Sequence, residues 1–318
     1  MKIKSIITTC LILVMLFSDI PAFADDDGVI SDNNIHAVNV LMSIGIIEEP
    51  DFGQSWSDTA VSKGDFIEMA LKMTDYPNFT QDNIILPWES VASGSRYYKP
   101  YLYSYLNGWL NDDYDIGDPE DMLTFDFAQM YLLNLMGYGM YPDAVVSYKT
   151  DAAGKLVKSV TARGDDALTL NDVYTMLYNA TRINSMNMDG DRFVMRDGRT
   201  VLTYYKDIYM IKGKVNATKY ASLSGRTVNT NELLINNDIF TFEDESYNML
   251  LGKNVEGYAY ITDDEAKLLY LEDRTVNSAD TVIEGKNFIS YSGRTVTYDT
   301  QEGRQKKVTV EDPVIIYN

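Results

Sequence analysis

Side chains able to do covalent or metal chemistry are few in this chain. His36 is the only histidine and Cys10 the only cysteine. Thiol–histidine catalysis and Cys/His zinc centres need more of these residues than the sequence holds. A serine–histidine–acid triad would have to use His36, and no nucleophile-elbow sequence accompanies it. His36 stands beside Ile35 and Val38 on a predicted helix and reads as a helix residue. Carboxylates are abundant, 47 Asp and Glu against 27 Lys and Arg, but nothing marks one pair as the two acids of a glycosidase. The expectation is a protein that is not an enzyme.

The oxygen ligands gathered most densely lie in Asn111–Asp118, where Asp113, Asp115 and Asp118 alternate with other residues around Gly117. Such loops can wrap Ca²⁺. Gly117 falls where an EF-hand wants a ligand, however, and Thr124 stands where its bidentate Glu would be. A solvated polar turn with no metal is therefore expected, with Ca²⁺ as the weaker candidate and no other cofactor. A second kind of chemistry is aromatic. Tyr97, Tyr98, Tyr101, Tyr103, Tyr105 and Trp109 crowd one predicted helix, and Leu102, Tyr105, Leu106 and Trp109 already fill its inner stripe. Tyr98, Tyr101 and Tyr103 are expected nearer the surface, where rings suit sugars or a protein partner.

The elements that would position these groups repeat. Val61-Ser62, Leu123-Thr124 and Leu168-Thr169 each pair an apolar residue with a hydroxyl and then open an amphipathic run. Apolar residues follow at offsets four, seven, eight and eleven from the hydroxyl: Phe66, Met69, Ala70 and Met73; Ala128, Tyr131, Leu132 and Leu135; Val173, Met176, Leu177 and Ala180. This spacing lays them on one helical face. The hydroxyl can cap the first turn, and the apolar residue before it can staple the chain onto the helix. Each copy has an upstream helix, built on Ile35, Val38, Leu41 and Met42, on Leu102, Tyr105, Leu106 and Trp109, and on Tyr148 and Ala152. These are expected to exit at Gly45, Gly108 and Gly154, leaving 17, 16 and 15 positions to the next cap. Since one such unit cannot bury both faces, three should pack around a shared centre.

The order of helix, glycine with two apolar residues, loop, capped motif and second helix resembles the S-layer homology module of bacterial surface proteins. The likeness covers roughly residues 30–183, with repeats at about 30–76, 95–138 and 141–183. It implies a pseudo-threefold bundle whose inter-repeat grooves bind acidic cell-wall glycan, with a Thr-Arg-Ala-Glu-type motif at each second helix start. Here the motif reads Ser62-Lys63-Gly64-Asp65, Thr124-Phe125-Asp126-Phe127 and Thr169-Leu170-Asn171-Asp172, so the arginine is absent and Lys63 alone keeps a positive charge. Arginine holds a carboxylate through two parallel bonds that lysine cannot copy. The groove carrying Trp56, Lys63 and Asp65 is the first expected glycan site, and Trp109 with Tyr101 the second.

Lys2 and Lys4, the apolar run Ile6–Phe17 and Ala22-Phe23-Ala24 read as a secretory signal peptide over residues 1–24. Cys10 would leave with it. The rest carries 25 basic and 46 acidic residues, which disfavours nucleic acid and anionic membrane as partners, and no membrane span is expected. Beyond residue 190 the grammar turns to short β-rich runs, with Gly-Arg-Thr-Val at Gly198, Gly225 and Gly293. The expected class is α+β: a helical three-repeat bundle over 25–186, a linker at 187–191, and an antiparallel barrel or sandwich over 192–318. That last part is similar to β segments following the repeats in some clostridial surface proteins. Together these imply a secreted protein at the surface or wall of a Gram-positive-type bacterium. It would associate with cell-wall polysaccharide and display the β domain. The alternative is a structural assembly protein that contacts other surface-layer proteins.

Overall fold

The computed structural model describes residues 35–50, 56–81, 84–111, 116–139, 146–189, 192–195, 198–275, 287–292, 294–300 and 303–309. The expected signal peptide lies outside them. The chain is mixed α+β, with helices first, a five-stranded sheet and a smaller three-stranded sheet. Two compact units divide it, one running to Ile211 and including Tyr258–Tyr270, the other comprising Lys212–Gly257 and the chain from Leu271 onward.

In the first unit the helices are α1 (Ile35–Ser43), α2 (Lys63–Leu71), α3 (Tyr98–Leu106), α4 (Phe125–Leu135), α5 (Val146–Leu156), α6 (Leu170–Arg182) and the short α7 (Val201–Lys206). Ser62, Thr124 and Thr169 cap α2, α4 and α6, accepting from the amides of Asp65, Phe127 and Asp172 at 3.1, 3.4 and 3.3 Å. Thr169 and Asp172 complete a reciprocal capping box, which satisfies two otherwise orphaned donors. The apolar offsets point inward. Of the twelve residues, all but Met69 are buried.

The three capped segments meet in a closed ring. Val61 N–H donates to the Leu168 carbonyl at 3.4 Å, Leu168 N–H to Leu123 at 2.9 Å, and Leu123 N–H to Val61 at 2.8 Å. A second ring lies outside it: Lys63 N–H donates to Asp121, Phe125 N–H to Asp166, and Leu170 N–H to Thr59, at 3.0, 3.0 and 2.8 Å. Each second helix therefore passes its first free amide to the loop of another helix pair. The first helices pack with the same rotation, α3 on α2, α5 on α4 and α1 on α6. Each helix pair thus lends a face to a different pair.

The exits differ from the sequence expectation in one copy. Gly45 and Gly108 sit in the left-handed region at φ +73 and +72, where a side chain would be strained. Gly154 does not end its helix; it lies inside α5, and Ser159 takes the left-handed turn at φ 66. The loop to the third cap is correspondingly shorter. Tyr148 is also exposed rather than packed inward.

The stretch expected as a linker begins a β-hairpin, β1 (Met186–Asp189) with β2 (Arg192–Met195). It is tied to α4 by Met186 N–H donating to the Met136 carbonyl at 2.8 Å. The five-stranded sheet runs in the order β3 (Ile208–Ala217), β4 (Glu232–Ile235), β5 (Asp238–Thr241), β7 (Ala266–Asp273), β6 (Asn254–Ile261). The three-stranded sheet is an antiparallel meander of β8 (Phe288–Ser292), β9 (Thr295–Asp299) and β10 (Gln305–Thr309). Among the described residues, no helix is long and apolar enough to cross a membrane.

Candidate functional site

Met69, the one repeat position that stays partly open, leads to a cavity of about 320 Å³. Thr59, Ala60 and Val61 line it together with Asp65, Glu68 and Met69 of α2, Lys72 just after that helix, and Leu170 at the start of α6. It therefore opens between the first and third helix pairs. Helical spacing puts Asp65, Glu68 and Met69 on one face of α2, and the outer hydrogen-bond ring holds Leu170 against Thr59. Leu170 occupies the motif position where the S-layer homology pattern has arginine.

Asp65 is held from several sides. It accepts from the Ser62 hydroxyl at 2.9 Å, from the Tyr97 hydroxyl at 3.1 Å and from the Arg96 guanidinium at 2.7 Å. Arg96 also donates to Tyr97 and lies 4.3 Å from the centre of its ring. Arg96 thus brings a guanidinium to the first motif from the next helix pair. Burial pushes the Glu68 carboxyl above its ordinary value; the nearby Asp65 adds to this, while Arg96 and Lys72 oppose it. Lys72 is paired loosely with Glu48 at 3.7 Å. The cavity wall therefore offers carboxylate acceptors beside apolar surface from Met69 and Leu170. Such a wall can receive hydrogen bonds from hydroxyl and amino groups.

Lys63 faces elsewhere. Its ammonium donates to the Ile116 carbonyl at 3.0 Å and pairs with Asp121 at 3.4 Å, and its side chain is only 13% exposed. The one cation that the motifs retain is spent inside the fold. The neighbouring amides are spent too. Gly64 N–H donates to Pro119 and Asp126 N–H to Gly164, at 2.8 and 3.0 Å. With the caps and the outer ring, the first three amides of α2 and α4 all have protein partners. An anion at those helix starts would find no free donor.

At the second motif, Arg163 lies 5.3 Å from the centre of the Phe125 ring and donates to the Val160 and Ala162 carbonyls. A turn recurs beneath both arrangements: the Asp121 carboxylate accepts from Asp118 N–H, and the Asp166 carboxylate from Arg163 N–H, each at 2.9 Å. Asp121 and Asp166 both stand three residues before a cap. That spacing was present in the sequence and would have found these loops.

The aromatic expectation is corrected. Tyr101 is 0% and Trp109 4% exposed, so neither offers a ring to a sugar; they are core. The inner face of α3 is Tyr101, Leu102 and Ser104, whereas Leu106 is 43% exposed. Just before α3, the buried Tyr97 lies against Gly64, where an added Cβ would fall on its ring. Trp109 packs edge-on against Tyr103, Tyr131 and Tyr205. Trp56 begins a short 3-10 turn, Trp56–Asp58. Of the Ca²⁺ candidates, Asp113 and Asp115 lie outside the described residues. Asp118 accepts from Glu120 N–H at 2.9 Å in the turn just described. Among the described residues no cluster of metal-ligating side chains occurs. His36 sits between helices, its Nε2 3.0 Å from the Tyr178 hydroxyl.

Lys63 and Asp65, expected to share one groove, thus face different partners, and only Asp65 lines the cavity. Comparison with protein-family models, with curated proteins and with solved structures gave no match.

Proposed function

We propose that this chain is an exported cell-surface protein whose helical bundle associates with cell-wall glycan and displays its β region. The observation that carries the reading is the cavity between the first and third helix pairs, with Asp65 and Glu68 on its wall. Carboxylates there accept from sugar hydroxyls, and Met69 and Leu170 offer apolar surface to a ring face. The resemblance to S-layer homology repeats and the two cyclic hydrogen-bond rings support the same reading. A Gram-positive-type wall and a signal peptide over residues 1–24 belong to it. So does closure of the five-stranded sheet as a barrel, which is supported by Val215 bonding to both Gly252 and Lys253. The ligand is a neutral or amine-bearing saccharide, since the groups suited to an acidic one are already bonded within the protein.

A second reading, a structural assembly protein, is favoured by a different observation. Lys63 and the helix-start amides, the groups that would recognise an anionic polymer, instead hold the helix pairs together.

Retention of the full exported chain on purified cell walls, with and without their attached polymer, tests the first reading. The wild type is expected to bind. Glu68→Gln should weaken retention about tenfold, the loss of roughly one charge-assisted hydrogen bond, while Lys63→Met retains binding. A wild type that passes through both wall preparations overturns the carbohydrate reading and leaves the assembly reading.

A further inference from the structure

The chain is strongly acidic as a whole, yet its charge is unevenly placed. Residues 25–135 hold 20 of the 47 acidic residues but only four of the 27 basic ones, Lys63, Lys72, Arg96 and Lys99. The three-stranded meander is the reverse. Residues 288–309 hold Arg294, Arg304, Lys306 and Lys307 against Asp299 and Glu302, and the four basic residues are exposed.

Its apolar side chains are also thinly covered: Val296, Tyr298 and Val308 are only half-buried and Ile289 is 43% exposed. The register pairs Lys306 with Tyr298 and Val308 with Val296, so alternation sets Val296, Tyr298, Val308 and Lys306 on one face. That face combines a half-exposed apolar row with a cation. A three-stranded sheet gains stability when such a face is covered. Lysine on the edge strand β10 disfavours pairing between two such edges, which directs the sheet toward something acidic.

A complementary surface exists on the same chain. Asp118, Glu120, Asp121 and Asp126 are all exposed around the start of α4, and Met122 among them is 56% exposed. An apolar side chain set among carboxylates matches an apolar row that carries a cation. We propose that the meander of one copy docks on this acidic face of a second copy, joining molecules head to tail. Such a contact uses two different patches, so it propagates from copy to copy unless the rotation closes it into a ring. The contact is separate from the carbohydrate cavity, and its failure would leave that reading untouched.

A pair of charge-reversed chains tests it. One carries Arg304→Glu, Lys306→Glu and Lys307→Glu; the other carries Asp118→Lys, Glu120→Lys and Asp126→Lys. All are examined as the full exported chain by sedimentation equilibrium at physiological ionic strength, with thermal melts to establish that each is folded. Wild type should show a weight-average mass that climbs with concentration. Each reversed chain alone should sediment as a monomer, and an equimolar mixture of the two should associate again. Molar salt should return the wild type towards monomer, because the Debye length falls to about 3 Å. A wild type that stays monomeric into the millimolar range overturns the proposal. So does association that survives either reversal, or a mixture that fails to recover it.

Discussion

Lys63 shows how one side chain can leave a surface role for an internal one. Its ammonium bridges from the start of α2 to the Ile116 carbonyl and Asp121, across two helix pairs. The Asp121 carboxylate is held below its ordinary value of 3.8, chiefly by the backbone N–H of Asp118; loss of hydration opposes this, and Lys63 lowers it further. A depressed carboxylate stabilises the fold above its unfolded value and loses that contribution as pH falls through the folded one. The melting temperature of Asp121→Asn should therefore lie below wild type at neutral pH and converge with it once the pH falls well under that ordinary value. A difference that persists unchanged into acid would contradict this. Gly64, between these two partners, is demanded by sterics rather than chemistry. Its missing side chain is where the Tyr97 ring lies.

At the scale of elements, α5 separates sequence grammar from structure. A glycine near the end of an amphipathic run reads as an exit, as Gly45 and Gly108 indeed are. Gly154 is instead helical, with nothing within 4 Å of where a Cβ would stand. Gly154→Ala should then raise stability by about 0.5–1 kcal/mol through helix propensity; an exit glycine forced to φ > 0 would give the opposite sign. Ser159 carries the strain, since a left-handed non-glycine residue costs roughly 1–2 kcal/mol. Ser159→Gly should raise the denaturant midpoint, less the added freedom of glycine in the unfolded chain. Chemical denaturation of the two variants checks both signs.

For the molecule as a whole, the first compact unit does not end where the helical periodicity does. Val201, Leu202 and Tyr258 join the same core as the six long helices, and the Tyr258 hydroxyl lies 2.8 Å from that of Thr181 in a buried pair. A fragment ending at residue 191 would lack α7 and Tyr258–Tyr270, exposing that core and leaving the Thr181 hydroxyl without this partner. An unmade buried hydrogen bond alone costs about 1–3 kcal/mol. The fragment should melt at least about 5 °C below the chain that continues to residue 318. Matching melts would mean that the helical segment is self-sufficient.

The sequence by itself determined whatever follows from local periodicity and capping. Ser62, Thr124 and Thr169 start helices whose inward faces are the spaced apolar residues, because a cap and a 3.6-residue period act within one turn of chain. It also limited the chemistry, since one histidine and one cysteine are facts of composition. Only the tertiary structure decided which groups remain available to a ligand. Whether Lys63 meets solvent or Ile116, whether Tyr101 shows a ring or fills the core, and which loop takes the amide of Leu170 depend on residues far along the chain. Such pairings are set by how three similar faces close on one another. No local pattern encodes that rotation, and it turned the expected anion-binding helix starts into the joints of the bundle.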